Sequence, residues 1–279
     1  MRINTKQIAG KLGIYATVII LCGIIAFPLY WMLATSLQQE TALFSSRLRL
    51  WPKPVVLEGY LHLFAAGRIW LWIKNSLVVT VATTLLSVPI SLFAAYSISR
   101  FKYRGRVFLL FLILLTQMLP ATLIILPLFV IFRQMGLWDT LGCLIVANIT
   151  FSLPLSISIL KGFLDTIPRE IEEAGVIDGC SRMQILSKII VPVSLPGLVA
   201  SSVIAFFLTW DEFLFANTFI NTESKWLGTV GLASFRGEFI TPWNEILAAA
   251  MIYTAPALLF FLFAQRYIVA GLTSGAVKG

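Results

Sequence analysis

The chain alternates between long apolar runs and shorter polar segments. Six runs contain no charged residue, and each is long enough to cross a bilayer as a helix of roughly 20 residues. These runs are 12–33, 76–99, 107–132, 141–160, 190–210 and 246–264. The pattern predicts an all-α integral membrane protein with six transmembrane helices between residues 12 and 264. Residues 1–11 and 265–279 then form short segments at the two ends of the chain.

The distribution of basic residues sets the expected orientation. Arg2, Lys6 and Lys11 precede the first run, and four basic residues lie within positions 100–106. Because basic residues are retained on the cytoplasmic side, both ends of the chain are predicted to be cytoplasmic. The outer segment 38–74 contains five basic residues and opposes this orientation, but the cluster at 100–106 is denser. The first run is long for a signal peptide and lacks a small-residue cleavage site, so we expect a retained signal anchor.

Composition supports a membrane protein and excludes several other classes. Of 279 residues, 58% are hydrophobic and only 12% are charged, which a soluble domain could not accommodate. The net charge of +8 lies on the expected inner side, so it indicates topology and no nucleic-acid partner. Three widely spaced cysteines and one histidine, His62, provide neither a disulfide framework nor a metal site. The chain also lacks a GxxxxGK[ST] phosphate loop, so it is expected to have no ATPase site and no cofactor of its own.

The longest stretch of mixed charge between two apolar runs is 166–192, TIPREIEEAGVIDGCSRMQILSKIIVP. Three glutamates in its first part suit the positive end of a helix dipole. Asp178-Gly179 supplies a turn in which glycine can adopt a positive φ. Ser181 followed by Gln184 is a capping-box pattern. The segment therefore predicts two short helices around a glycine turn, the second of them ending before Pro192.

This segment resembles the EAA motif of importer permeases in the ATP-binding cassette (ABC) superfamily, which reads E-A-A, three residues, G, nine residues, I-x-L-P. Gly175 replaces the second alanine and Val191 replaces the leucine. The resemblance implies a loop that docks on a cytoplasmic ATPase, with the small residues allowing close approach to a groove in the partner. The residues expected to couple the chain to an ATPase are Glu172, Glu173, Ala174, Gly175, Asp178, Gly179, Arg182, Ile189 and Pro192.

The C-terminal segment carries a second resemblance. Composition alone predicts that QRYIVAGLTSGAVKG, residues 265–279, is a short flexible extension. The same residues closely resemble the terminus of sugar permeases of the maltose-type G-subunit group, in which the tail reaches into the ATPase pair. The outer segment 38–74 is predicted to contain a short amphipathic helix and is weakly similar to the outer loop of carbohydrate permeases, with Gly59 in place of an asparagine.

Polar residues within and beside the spans are candidate substrate contacts. Asn148 and Ser152 share a face of the fourth run, and such side chains either link helices or line a path through the bundle. At the end of the fifth run, the carboxylates next to a tryptophan are either an interfacial anchor or an acidic, aromatic lip that suits sugar hydroxyls. The candidate substrate-path residues are Gln117, Asn148, Thr150, Ser152, Trp210, Asp211 and Glu212.

Together the resemblances cover essentially the whole chain and imply the type I ABC importer permease fold in a prokaryotic inner membrane. The implied function is import of a sugar (an oligosaccharide, a disaccharide or a glycoside) driven by a partner ATPase. The implied partners are a second, homologous permease in a heterodimer, two ATPase subunits that hold ATP and Mg²⁺, an extracytoplasmic sugar-binding protein that docks on 217–244, and membrane lipid. The alternative is an ion-coupled secondary transporter, which requires ionisable groups near the bilayer midplane. None of the six runs contains one.

Overall fold

The computed structural model describes residues 5–45, 49–237 and 241–276, and the side chains of these residues except 5–10, 12 and 267–276. All regular secondary structure in the described residues is helical. The α-helices are α1 Thr5–Ser36, α2 Glu40–Leu43, α3 Glu58–Ala66, α4 Arg68–Arg100, α5 Arg106–Thr116, α6 Ala121–Gln134, α7 Leu141–Asp165, α8 Glu170–Ile177, α9 Arg182–Gln184, α10 Val191–Val193, α11 Leu195–Trp210, α12 Leu214–Phe219, α13 Gly228–Ser234 and α14 Trp243–Ala276. A π-helical segment, Ile185–Ile190, joins α9 to α10, and a 3₁₀ turn covers Glu223–Lys225.

Four helical segments in the described residues are long and apolar enough to cross a membrane: Gly13–Ser36, Arg68–Arg100, Leu141–Asp165 and Trp243–Arg266. Each overlaps a predicted run. In Gly13–Ser36 the most apolar part contains no buried residue, whereas half of the corresponding part of Leu141–Asp165 is buried. The second of these two helices therefore lies inside a packed bundle, and the first leaves its apolar surface open within the described residues.

The sequence predicted one continuous helix for each of the remaining two runs, but each run consists of two helices that meet at an angle. Arg106–Thr116 and Ala121–Gln134 meet at an angle of 96°, and Arg182–Val193 and Leu195–Trp210 meet at 78°. At the first bend Pro120 has an extended backbone and precedes the helix as its N-cap. The extended backbone at Pro120 ends the helical path, and a proline, which lacks an N–H and restricts the residue before it, suits the start of a new helix. The described residues thus contain up to six spans, if each bent pair counts as one.

One compact unit comprises the described residues of the ranges 1–67 and 234–254. Within it, the Ser36 and Tyr60 hydroxyls are 2.8 Å apart and connect α1 to α3, which confirms the predicted helix in the outer segment. Gly59 faces the backbone of Asn244, where a Cβ would lie 3.3 Å from the carbonyl carbon. The asparagine-to-glycine departure noted in the sequence therefore coincides with a close approach of two backbones.

The second compact unit comprises the described residues of the ranges 68–233 and 255–279 and is built around α4, α7 and α11. One apolar cluster forms around Leu144 and Phe219, and another forms around Leu160 and Ile190. These clusters bury apolar side chains from the bundle and from the segments that flank it.

Buried hydroxyl side chains of α4, α7 and α11 form what we call the hydroxyl seam. Along α4 these residues recur at helical spacing on one face. The seam comprises Thr80, Thr83, Ser87 and Ser91 of α4, Ser156 of α7 and Ser201 of α11. Among the described residues none of these six hydroxyl oxygens has a hydrogen-bond partner. The small side chains therefore act as close packing surfaces for the helices and not as polar links between them.

Asp139 ties the connection between α6 and α7 to the segment after α12. Its φ is +58°, and its carboxylate accepts hydrogen bonds from the backbone N–H groups of Asn221 and Thr222 at 2.9 and 3.0 Å. The Thr222 hydroxyl donates at 2.5 Å and the Lys225 ammonium lies at 3.2 Å. Burial alone would raise the pKa of the Asp139 carboxyl, but these donors outweigh it and hold the pKa well below its usual range.

The last helix, α14, continues to Ala276. Composition predicted a flexible extension over 265–279, but the backbone is helical for all of it except 277–279, which lie outside the described residues. Alanine and the aliphatic residues of this stretch are compatible with helix, and its two glycines cost only about 1 kcal/mol each.

Candidate functional site

The segment between α7 and α11 contains the two predicted helices and the turn between them. Helix α8 ends at Ile177, and Gly179 has the positive φ, +79°, that the turn was expected to require. The Ser181 N–H donates to Gln184 Oε1 at 2.8 Å, and the Gln184 N–H donates to Ser181 Oγ at 3.4 Å. The predicted capping box is confirmed.

The second helical stretch ends later than predicted. It passes from α9 through the π-helical segment Ile185–Ile190 into α10, so Pro192 lies inside it and the bend falls at Ser194. A proline weakens a regular α-helix because it lacks an N–H and its ring clashes with the carbonyl four residues earlier, although α4 and α7 each contain one. The wider π-helical turn interrupts that regular bonding just before Pro192, which lets the chain continue for another turn.

Glu172 clamps this segment to the last turns of α4. One carboxylate oxygen lies 2.5 Å from Arg100 Nε, and the other accepts a hydrogen bond from the Tyr96 hydroxyl at 2.8 Å. The Arg100 and Glu172 side chains are only 7% and 14% exposed, so the pair is desolvated. Arg100 also donates to the Ile167 carbonyl, and Arg169 donates to the Ser99 carbonyl. Removing either charge would leave the other buried without a counter-charge.

An aromatic contact extends this clamp to the second helical stretch. The Arg182 guanidinium carbon lies 4.9 Å from the centre of the Phe101 ring, and Phe101 meets Tyr96 edge to face at 5.8 Å. Both geometries are favourable for their ring systems. Helices α8 and α9 are therefore both held against the end of α4.

The structure separates the predicted coupling residues into two groups. Gly175 is buried, and a Cβ there would lie 2.7 Å from Ile189 Cδ1 and 3.3 Å from Ile185 Cγ1. Its small size therefore serves packing inside the segment, whereas the resemblance implied close approach to a partner. Glu172, Gly175 and Ile189 face inward or lie half-buried, whereas Glu173, Ala174, Asp178, Gly179, Arg182 and Pro192 are exposed.

Three apolar side chains beside the turn were not identified from the sequence. Val176 and Met183 are each 61% exposed, and Ile177 is 86% exposed. They flank Gly179 on a segment that is otherwise rich in charge. We call Val176, Ile177, Gly179 and Met183 the turn surface. The sequence did offer one signal: these apolar residues lie next to a glycine turn and outside all six apolar runs.

The candidate substrate-path residues of the third and fourth runs do not converge. Asn148 and Ser152 are buried and donate to carbonyls of their own helix, those of Leu144 and Ile149, at 2.9 and 3.2 Å. Thr150 is on the exposed side of α7 and donates to the Val146 carbonyl at 3.0 Å. Gln117 is exposed at the bend after α5. Burial of Asn148 and Ser152 favours a packing role for them.

The residues at the end of α11 also separate. Trp210 is 2% exposed and stacks on Phe206, with ring centres 5.7 Å apart. Glu212 accepts hydrogen bonds from the Phe215 and Ala216 N–H groups at 2.5 and 3.0 Å and so caps α12.

Burial raises the pKa of the Glu212 carboxyl more than its backbone donors lower it. Asp211 alone remains exposed, at one end of a groove of about 300 Å³ on α11 whose other walls include Val203 and Phe207. The described residues contain no group of three or more His, Cys, Asp or Glu side chains that could hold a metal ion.

Comparisons with known proteins agree with this architecture. The chain is 36% identical over 259 residues to the trehalose transport system permease protein SugB of Mycobacterium tuberculosis, covering 92% of this chain and 94% of the relative. It is 34% identical over 266 residues to the sulfoquinovosyl glycerol transport system permease protein SmoH of Agrobacterium fabrum, covering 95% and 93%. It is 33% identical over 281 residues to the inner membrane ABC transporter permease protein YcjP of Escherichia coli, covering 99% of both.

Among solved structures, a chain of a bacterial ABC transporter involved in the import of the acidic polysaccharide alginate shares the fold. Its TM-score is 0.80 at 20% identity, over 96% of this chain and 99% of that chain. The family model of the binding-protein-dependent transport system inner membrane component matches residues 87–274, which include the candidate segment. The chain belongs to the family of inner membrane components of binding-protein-dependent transport systems.

Proposed function

We propose that this chain is the permease subunit of an ABC importer that carries a sugar into the cytoplasm, with ATP hydrolysed by a partner subunit. The observation that carries the proposal is the segment between α7 and α11: its turn surface is exposed, and Glu172 anchors it to α4 through a buried ion pair. The sugars that name two of the relatives, trehalose and sulfoquinovosyl glycerol, favour a disaccharide, an oligosaccharide or a glycoside.

The topology that accompanies this function has six spans of the type I importer fold, with each bent pair counted as one span. Four spans precede the candidate segment, so it lies on the same side as the N-terminus. Six spans bring the C-terminus back to that side as well. The basic residues at 100–106 support the assignment of this side to the cytoplasm.

The coupling mechanism follows from the two groups of residues. The ATPase binds the exposed group, in which Glu173 and Arg182 supply charged contacts at the edge of the apolar turn surface. The inward group holds α8 against the π-helical segment and α4. Because α8 and the end of α4 are joined by a desolvated ion pair, displacement of the turn surface moves α4 with it. Coupling requires that the two nucleotide states of the ATPase bind two positions of this segment with different free energies.

The proposed assembly contains a second, homologous permease in a heterodimer, two ATPase subunits that hold ATP and Mg²⁺, and an extracytoplasmic sugar-binding protein. The open apolar surface of Gly13–Ser36 supports a membrane partner, since its most apolar part contains no buried residue. The chain itself supplies no nucleotide site and no cofactor. The outer loop 217–244, joined through Asp139 to the connection between α6 and α7, is the docking surface for the binding protein.

The test is affinity purification of this chain, co-expressed with its neighbouring genes, from detergent-solubilised membranes. Gly179→Leu is compared with Gly105→Leu, because both glycines are exposed, have φ of +79° and +91° and have no other atom within 4 Å of a Cβ. Both substitutions carry a similar backbone cost of about 1–2 kcal/mol. We expect an ATPase to co-purify with the wild type and with Gly105→Leu, and Gly179→Leu to release it.

Two results would overturn the proposal. If no neighbouring ATPase co-purifies while uptake follows an ion gradient, the chain is a secondary transporter. If both glycine variants retain the ATPase equally, the turn surface is not the contact. The sugar class is tested separately, by screening the co-purified external binding protein for thermal stabilisation by trehalose and other glycosides.

A further inference from the structure

A cavity of about 310 Å³ lies where three membrane segments end. Its walls come from the last turn of α4, the first turns of α5 and the last turns of α7, together with Arg169 just before α8. Arg68–Arg100 and Leu141–Asp165 are candidate spans that finish here, and the bent span that starts with Arg106–Thr116 begins here. The cavity therefore lies at the boundary between bilayer and water.

The cavity has a surplus of positive charge. Arg106, Lys161 and Arg169 line it together with a single carboxylate, Asp165. Lys161 Nζ lies 2.6 Å from Asp165 Oδ2, so these two charges compensate each other. In the described part of the chain, neither Arg106 nor Arg169 forms an ion pair with an acidic side chain.

The two arginines instead donate to backbone carbonyls. Arg106 reaches Phe101 O at 3.5 Å, and Arg169 reaches Ser99 O at 3.1 Å. Each guanidinium has five N–H donors, so most of them remain available for a ligand. A monoanion or dianion with several acceptor oxygens matches this arrangement. The planar guanidinium of arginine can donate two parallel hydrogen bonds to a phosphate, so phosphate is a favoured partner.

One wall of the cavity is apolar and belongs to a membrane segment. Val107 and Leu110 lie one helical turn apart on α5, and Val107 is 72% exposed. A free phosphate ion would leave this wall unused. A molecule that has a phosphate at its head and hydrocarbon beneath it would contact both the guanidinium groups and the wall.

We propose that this cavity is a binding site for the headgroup of an anionic phospholipid. The phosphate lies between Arg106 and Arg169, the Lys161 ammonium contributes at the edge, and an acyl chain packs along Val107 and Leu110. Basic pockets between membrane helices at the level of the headgroups suit such lipids. Arg169 also bonds to the end of α4, so a lipid held here bridges α5 and the start of the segment that contains α8. This inference stands independently of the proposed sugar import.

The test measures lipid retention on the purified full-length chain, in detergent and with any co-purifying partners, by native mass spectrometry. The probes are phosphatidylglycerol and phosphatidylcholine with identical acyl chains. The variant pair Arg106→Gln with Arg169→Gln is compared with Lys102→Gln and Arg104→Gln, which removes the same charge from exposed positions outside the cavity. Inorganic phosphate is added in a separate arm.

We expect the wild type to prefer phosphatidylglycerol by about 30-fold, which corresponds to about 1 kcal/mol for each of two cationic contacts. The double variant Arg106→Gln with Arg169→Gln should lose this preference, and the control variant Lys102→Gln with Arg104→Gln should retain it within about 3-fold. Arg106→Gln alone, which leaves the Arg169 bond to Ser99 intact, reduces the preference about 5-fold; this single variant keeps the test informative if the pair is unstable.

Three outcomes would overturn the proposal. The wild type would show no preference between the two lipids. The Lys102→Gln and Arg104→Gln control would lose the preference as fully as the cavity variant, which would indicate a diffuse surface field. Inorganic phosphate would displace phosphatidylglycerol completely, which would indicate a site for a free anion.

Discussion

Replacing Glu172 by glutamine removes the counter-charge of Arg100 and almost nothing else. In the wild type the Tyr96 hydroxyl donates to a carboxylate oxygen of Glu172 at 2.8 Å, and the amide oxygen of glutamine can still accept this hydrogen bond. The Arg100 guanidinium, 7% exposed, would keep its bond to the Ile167 carbonyl but would lose its charged partner. The perturbation thus isolates the ion pair from the shape of the side chain.

The expected cost follows from burial of both groups. Breaking a desolvated ion pair by removing one partner costs about 3–5 kcal/mol. The lower end applies here because Arg100 retains one backbone acceptor. A cost of about 3 kcal/mol raises the equilibrium constant for local opening of α8 by roughly 150-fold.

Amide hydrogen exchange of the purified chain, resolved by mass spectrometry, measures this opening directly. Peptides that cover Glu170–Ile177 should exchange roughly 150-fold faster in Glu172→Gln, since exchange there proceeds through local unfolding. Peptides from the beginning of Leu141–Asp165, far from the clamp, should be unchanged. Glu173→Gln is the matched control, because Glu173 is exposed and forms no ion pair within the described residues.

A second variant separates loss of the pair from loss of packing. Arg100→Met combined with Glu172→Leu replaces both charges by apolar groups of similar size, which is often close to neutral for buried pairs. Exchange in α8 should return to within about 10-fold of the wild type. If Glu172→Gln and Glu173→Gln exchange at the same rate, the ion pair does not hold α8 to α4 and the coupling argument fails.

Three further changes test other contacts. Gly175→Ala brings a Cβ to 2.7 Å from Ile189 Cδ1, so it should lower the thermal stability of the purified chain. Adding Ile189→Val removes that methyl group and should recover the lost stability, since alanine favours helix over glycine by about 1 kcal/mol. A double variant that recovers no stability would contradict the packing account. Asp139→Asn should raise the amide exchange rate at residues 221–225, relative to the wild type, by the same factor at pH 5 and at pH 8. The pKa of Asp139 is depressed in the folded chain, so its stabilising charge is fully present above the unfolded pKa of about 3.9. That stabilisation is lost only as the pH falls below this value. An effect at pH 8 that vanished at pH 5 would refute this. Glu212→Ala should destabilise Leu214–Phe219 by about 0.5–2 kcal/mol, measured by its exchange rate, whereas Asp211→Ala, which removes no cap, should leave that rate unchanged.

The long apolar runs predicted much of the fold, because a helix that crosses a membrane is apolar over about 20 residues whether its side chains meet lipid or other helices. They could not predict the bends of 96° and 78°, since a run of apolar residues carries no information on direction. Pro120 marks the first bend. At the second, however, Pro192 lies inside the helical stretch and the bend falls at Ser194, so the position of a proline alone does not locate a bend.

The candidate site shows the same division. Local chemistry predicted the turn at Gly179 and the capping box, because both depend on residues within a few positions of one another. The sequence did not distinguish Glu172 from Glu173, which are adjacent and chemically alike. Their roles differ because Glu172 meets Arg100, 72 positions earlier in the chain, and such a pairing is invisible to local pattern.

Polarity alone also did not reveal the contacts of the candidate substrate-path residues. Asn148 and Ser152 are polar residues in an apolar run, yet both turn their hydrogen-bonding groups back to their own helix. Glu212 belongs to a helix cap. In each case the polar group has a local structural partner that only the three-dimensional arrangement reveals.

The hydroxyl seam has a consequence for how α4, α7 and α11 can separate. Its six hydroxyl groups have no partners among the described residues when the helices are packed. Hydrocarbon would offer them no partners either, so a gap filled by lipid tails gains nothing. Water would hydrate each hydroxyl, a gain of about 1 kcal/mol per group. A gap between these helices therefore costs less free energy when water fills it than when lipid tails fill it.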